Sequence, residues 1–231
     1  MGSSAKLLLP TLAVVIAILA VVIGPKYLSP EPPNSIISNQ VIDGISFPSS
    51  VKIAGSAQKF IGGGTRFKWG FKVYALGIYG EDKTIKSMTK KYAGASMEGL
   101  MKSDTLFTDF SESKSAKTLL LRFHREVGSS DVADALGEAL KPRLGEKESE
   151  SFQTFILDVV GGERVQKGSD IFITCKGEKL WASTTGGSDN ASSITMKGLC
   201  PAIFMVYLGE NPVSPHAKEG FVKGFETMTN K

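Results

Sequence analysis

Histidine, cysteine and tryptophan each occur only twice in the 231 residues. His124 and His216 are too few for a multi-histidine metal site, and a hydrolase would have to run on one of them almost alone. Cys175 and Cys200 lie in unrelated segments, without a CxxC spacing or a nearby histidine. They define neither a zinc site nor a disulfide framework, and both are expected as core thiols. There is also no dense lysine or arginine tract: the net charge of +4 is spread along the chain, so nucleic acid is not an expected partner. No motif of the GK[ST] type follows the glycines at 62–64, which argues against phosphate binding and leaves a turn as the expected role of that tract. Repeats of 20 to 50 residues and low-complexity stretches are missing too, which sets aside solenoids and arrays.

What is present suits one globular domain. Hydrophobic residues make up 42% and charged residues 22% of the chain, an ordinary balance for a domain that buries its own core. The exception is the run LLLPTLAVVIAILAVVI at residues 7–23, uncharged and bracketed by Lys6 and Lys26. Its length is near the lower limit for a bilayer span. Residues 1–24 are therefore expected to be a single transmembrane anchor, and 25–39, with Pro25, Pro30, Pro32 and Pro33, a stiff linker. Residues 40–231 form the folded domain. One lysine on each side of the run assigns no topology; a membrane-anchored protein of an organelle or endomembrane is the expectation.

Beyond residue 40 the hydrophobic pattern changes period. Runs rich in β-branched, aromatic and long apolar residues predict strands at 50–54, 58–64, 67–79, 118–127, 170–175 and 179–184, the last two joined as a hairpin through Gly177. Apolar residues three and four apart predict helices through Val132, Ala135, Leu136, Ala139 and Leu140, ended by Pro142, and through Phe152, Phe155, Ile156 and Val159. Two more are predicted through Leu199 to Tyr207 and around Phe221 and Phe225. Strands and helices do not alternate regularly, so the fold class is α+β, an antiparallel sheet with helices gathered on one side and room for a cleft between the layers.

Three stretches carry a family resemblance: GGGTRFKWGFKVYALGIYGEDK at 62–83, REVGSSDVADALGEAL at 125–140 and LGENPVSPHAK at 208–218. Together they resemble the chalcone isomerase family over about residues 40–228. The resemblance implies an open-faced β-sandwich, a large antiparallel sheet covered on one face by helices, with a ligand cleft between them. That family holds enzymes that close chalcones into flavanones and non-catalytic members that bind fatty acids.

Compared position by position, the resemblance places Arg66 where the enzymes hold the substrate's phenolate oxygen, and Tyr74 where they carry a threonine that polarises the ketone. Val132 and Ala139 stand where the enzymes have a tyrosine and an asparagine, and Val206 where they have a threonine or serine. Three polar positions have thus become aliphatic, and losing even one donor to a developing oxyanion costs on the order of a hundredfold. Arg66 and Tyr74 instead match the pair that contacts the carboxylate in the fatty-acid-binding members, and a charged guanidinium beside a phenol suits a carboxylate head on chemical grounds. The resemblance thus implies a non-catalytic module for a fatty acid or similar amphipathic anion. Arg66, Tyr74, Val132, Ala139, Val206 and Tyr207 are its ligand-binding residues, with no catalytic residue, metal or cofactor. An isomerase of this type on an unknown substrate, using Arg66 and Tyr74, is the alternative, and a scaffold or tetrapyrrole module using His124 is a third reading.

Overall fold

The computed structural model describes residues 40–186 and 191–230. The expected anchor at 1–24 and linker at 25–39 lie outside those residues. Among the described residues no helix is long and apolar enough to cross a membrane.

In chain order the elements are β1 Gln40–Ile42, β2 Ile45–Phe47, β3 Ser50–Ile53, β4 Ser56–Lys68, β5 Phe71–Glu81, α1 Asp82–Lys91, α2 Met97–Met101, α3 Asp104–Glu112, β6 Lys117–Phe123 and β7 Val127–Gly128. There follow α4 Ser129–Leu144, α5 Glu146–Val160, β8 Arg164–Val165, β9 Asp170–Lys176, β10 Lys179–Ser183, β11 Ser192–Thr195, α6 Leu199–Leu208 and α7 Pro215–Thr229. Seven strands form one antiparallel sheet in the order β11-β10-β9-β6-β5-β4-β3. Because strand side chains alternate between faces, Tyr74, Leu76 and Ile78 of β5, Leu119, Leu121 and Phe123 of β6, and Ile171 and Ile173 of β9 build the main core against the helices. Their neighbours Ala75, Tyr79, Leu120 and Phe172 point the other way, into a smaller cluster with Phe47 and Ile53. The second face is therefore not bare: the β1–β2 hairpin covers part of it, and Arg122 clamps it there by donating to the Ser46 carbonyl while its Nε and Nη2 grip Asp170 at 2.6 and 2.7 Å.

Several sequence expectations change in the fold. The glycine tract is no turn: Gly62, Gly63 and Gly64 lie in the middle of β4, where α7 crosses it. A Cβ on Gly62 would run into the Gly220 backbone of α7, and one on Gly64 into that of His216. On the helix side, Gly220 and Gly224, four residues apart and so on one face, present their Cα hydrogens to the carbonyls of Gly63 and Ile61. The strand expected at 67–79 is instead broken by the turn Trp69–Gly70, with both residues at positive φ, 51° and 81°. The strand expected at 118–127 stops at Phe123, because the His124 N–H turns back to the Val73 carbonyl and Val127 leaves to pair with Val165. Pro142 does not end α4, which runs on to Leu144; the proline removes one N–H near the end of the helix, and Arg143 Nη1 caps the Ala139 carbonyl at 3.0 Å. Helices α1 to α3 and the short strands β1, β2, β8 and β11 are not among the elements expected from the sequence pattern. Of these, α2 and α3 start at Ser96 and Ser103, whose hydroxyls accept from the N–H of Gly99 and Leu106.

The two cysteines are not free thiols. Cys175 of β9 and Cys200 of α6 are joined in a disulfide, with their Cα atoms 5.7 Å apart. Sequence spacing could not reveal it, because a bond between a strand and a helix depends on how the two pack.

Lys117 is 2% exposed at the start of β6. Its ammonium donates to the Ser113 carbonyl and sits 5.3 Å from the centre of the Phe204 ring, with no carboxylate partner among the described ion pairs. Burial pushes its pKa down to about 8. Between pH 8 and the ordinary value the unfolded chain therefore holds a proton that the folded chain does not, so this group makes stability rise with pH across that window and adds nothing to the slope below it. Denaturant melts of wild type should show a rise of roughly 2 kcal/mol from pH 8 to 10 that Lys117→Met lacks, and the variant should be the more stable at pH 7. Parallel pH profiles would contradict the burial of a charged lysine.

Candidate functional site

The β4–β5 hairpin brings the two most chemically distinct sequence candidates together. Arg66 and Tyr74 are direct cross-strand partners, which is why residues eight apart in sequence share one face. Arg66 Nη1 donates to the Tyr74 hydroxyl at 3.2 Å, and that hydroxyl lies 2.8 Å from the hydroxyl of Tyr207 on α6. Tyr74 and Tyr207 are buried and Arg66 half-buried. Among the described residues, Tyr74 is the one side chain that accepts a hydrogen bond from Arg66, and no carboxylate lies within ion-pair distance of it. Burial opposes the charge on Arg66, but the Tyr74 hydroxyl against it and Tyr207 behind outweigh that, so its pKa stays above the ordinary value. Burial also pushes the Tyr207 phenol well up, so it remains an O–H at neutral pH.

Arg66 and Tyr74 open into a cleft of about 460 Å³, a size common for small-molecule sites. It lies between the β4–β5 hairpin and the first half of α4. The apolar walls come from Val73, Phe123, Val127, Val132, Ala135 and Leu136. Four basic side chains, Arg66, Lys68, Arg125 and Arg164, face two acidic ones, Glu126 and Asp131. The excess of positive charge favours an anion.

The sequence candidates divide in three. Arg66, Tyr74 and Val132 line this cleft. Ala139 instead faces a shallower neighbouring groove, with Val213 and Arg66. Val206 is sealed in the core at 1% exposure, and Tyr207 reaches the site only through its hydroxyl behind Tyr74. The helical period put Val206 and Tyr207 on one buried element but could not say which of them points at the sheet. His124 lines neither the cleft nor that groove, and burial, together with Lys72 and Lys167, lowers its pKa despite an opposing Asp43. Sequence reasoning missed Trp69, Phe71, Arg125 and Arg164, all at the cleft. The dipeptide Trp69–Gly70 was the available signal, since a glycine inside an apolar run can mark a two-residue turn.

These features are those of an α+β domain with a partly apolar cleft whose mouth is rich in basic side chains. The chain belongs to the chalcone isomerase-like family, whose pattern matches residues 39–222. It is 26% identical over 210 residues to fatty-acid-binding protein 1 of Arabidopsis thaliana, covering 84% of this chain and 74% of that one. It is equally 26% identical over 209 residues to a chalcone--flavanone isomerase of Gossypium hirsutum, covering 82% of this chain and 90% of the other. The crystal structure of an Arabidopsis thaliana fatty-acid binding protein superposes with a TM-score of 0.66 at 25% identity, over 84% of this chain and all of the other. The family thus includes relatives with both names.

Proposed function

We propose that this protein is a non-catalytic carrier or binding module for a free fatty acid or similar amphipathic anion, with the carboxylate at Arg66 and Tyr74. The observation that carries the reading is a half-buried guanidinium, hydrogen-bonded to a phenol and free of any carboxylate among the described residues, at the margin of an apolar cleft. If Arg66 and Tyr207 both donate to the Tyr74 oxygen, the Tyr74 hydrogen is left for a ligand oxygen while the remaining guanidinium donors take the other. The apolar walls then receive the acyl chain at about 0.8 kcal/mol per buried methylene before the costs of binding are subtracted. Ring closure of a chalcone would need polar groups around the developing oxyanion. The α4 wall offers Val132, Ala135 and Leu136 there, and its one polar side chain at the cleft, Asp131, is an anion that cannot stabilise a developing oxyanion. The likeness to a protein named for binding fatty acids supports the same choice.

In this reading the hydrophobic run at 7–23 anchors the protein in a membrane and keeps the domain beside a source of acyl chains. The Cys175–Cys200 bond supports a compartment that does not reduce disulfides. Retention of the full chain in the membrane fraction after carbonate extraction, and its release on deleting 7–23, is the outcome expected of the anchor.

Native mass spectrometry of residues 37–231, a compact unit, tests the ligand. The protein is incubated with a mixture of C12 to C18 fatty acids and naringenin chalcone, with wild type beside Arg66→Ala. Selective retention of an acid is expected, weakened roughly 10- to 100-fold in the variant, the worth of a charge-assisted pair. Turnover of the chalcone to flavanone with no acid retained would sink the carrier reading and establish the isomerase.

A further inference from the structure

The β4–β5 hairpin ends in a tip whose large apolar side chains are mostly left exposed. Trp69 is 86% exposed, Phe71 62% and Phe67 40%, so three of the five large exposed hydrophobic residues among those described lie within five positions of one another. The tip is also built against local preference. In a two-residue hairpin turn with both positions at positive φ, asparagine, aspartate or glycine is favoured. Here the first position is tryptophan, at φ 51°. A bulky side chain held in the left-handed region is a genuine outlier, and an outlier at an exposed position points to a use outside the monomer.

Cations accompany these rings. The Lys68 ammonium lies 4.7 Å from the Trp69 ring centre, and the Arg125 guanidinium 5.3 Å from that of Phe71. Neither belongs to the described ion pairs, in contrast to Lys72 with Asp43 and Arg164 with Glu126. Tryptophan and phenylalanine interleaved with unpaired lysine and arginine is the composition that settles at a bilayer interface, with rings among the upper acyl chains and cations at anionic headgroups. A protein partner fits less well, because a stable interface needs a broad surface on the order of 800 Å² per side, whereas a hairpin tip presents a point.

We propose that the Phe67–Phe71 tip is a membrane-docking element that inserts Trp69 and Phe71 into the interface of an anionic lipid bilayer. Both residues also line the cleft, so docking puts the cleft mouth against the lipid. An acyl chain could then pass between bilayer and protein without crossing water. That use rests on the carrier reading, but the docking itself does not.

The chain has two tryptophans, Trp69 and Trp181. Trp181 lies on the register row of Thr174, Thr118 and Tyr79, far along the sheet from the tip. Full-length Trp181→Phe, with Trp69 as sole reporter, is mixed with phosphatidylcholine/phosphatidylglycerol vesicles whose acyl chains are brominated. Expected are a blue-shifted emission and at least roughly twofold quenching, as for an interfacial tryptophan. Full-length Trp69→Phe, reporting from Trp181, should be unaffected, and Lys68→Glu/Arg125→Glu in the Trp181→Phe background should lose most of the quenching. Because the reporter sits on the tip, attachment through residues 7–23 alone does not mimic the result. Co-flotation with vesicles without quenching of Trp69, or equal quenching of both tryptophans, overturns the proposal. So does a blue shift that follows protein concentration without lipid, which would assign the tip to a second copy of the chain. No fatty acid is needed for the readout, so a domain that retained no acid could still be quenched, and a failed carrier reading is told apart from a failed docking one.

Discussion

Gly220→Ala is expected to lower stability by about 3 kcal/mol, the upper range for overpacking a close contact, and to lower Tm by roughly 6 to 12 °C in a domain of this size. Gly220→Ala/Gly224→Ala should leave no cooperative transition. The added methyl groups would land on the carbonyls of Gly63 and Ile61. These are backbone atoms, and moving them means lifting α7 off β4, the helix and strand in closest association in the fold. The site feels the same displacement, because the Ser214 hydroxyl at the start of α7 donates to the Thr65 carbonyl at 3.0 Å, one residue before Arg66. Calorimetry with Gly99→Ala as control separates this from helix propensity. At Gly99 a Cβ would meet only the Ser96 hydroxyl at 3.4 Å, so that variant should stay within about 1 kcal/mol of wild type. A Gly220→Ala protein that melts with the wild type would mean that α7 does not cross β4 this closely.

Cys200→Ala is expected to cost about 3.5 kcal/mol, because a cross-link over a separation of 25 residues restricts the unfolded chain by that order. Dithiothreitol should lower the wild-type Tm towards that of the variant and leave the variant unmoved. The mass of the untreated protein should be about two hydrogens below that of the reduced form, as loss of two thiol protons requires. The bond ties the first turn of α6 to β9, and the far end of the same helix supplies Tyr207 behind Tyr74. Reduction is therefore expected to loosen the support of Arg66 as well as the fold, and weaker acid retention in reduced protein would report it. Equal melting of wild type and Cys200→Ala in oxidising buffer would show that the sulfurs are not joined.

Local features carried most of the legible fold. The strands at 50–54, 170–175 and 179–184 were legible from their β-branched, aromatic and long apolar residues, and the helix through Phe152 because burial on one side imposes a period of 3.6; β9 and α6, buried on both sides, show as apolar runs instead. Boundaries were legible only where a local signal marked them. Gly177 ends β9 clearly, whereas Trp69–Gly70 sits inside a continuous run of aromatic and β-branched residues that reads as one strand. The short helices α2 and α3 escaped for a related reason: Ser96 and Ser103 are good caps, but the helices they start are too short to show a period.

At the site, Arg66 and Tyr74 were legible through the family resemblance. Their partnership has a local basis, because the hairpin that pairs them closes within eight residues. Val132 also came through the resemblance, while the amphipathic period of α4 only placed it on a helix. Tyr207 came with the wrong contact and Ala139 with the neighbouring groove, since a helical period names a buried face but not the neighbour it meets.

By itself, then, the sequence determined the α+β class, the strand character of most of the central sheet and the periodic faces of helices such as those through Val132 and Phe152. All of these depend on residue types and spacings within a few positions, where backbone geometry alone dictates which side chains face the same way. Only the tertiary structure decided that Cys175 meets Cys200, that Gly62 and Gly64 make room for α7, and that Tyr207, 133 residues from Tyr74, stands behind it. Those contacts join elements distant in the chain, and only the packing of whole layers against one another selects them.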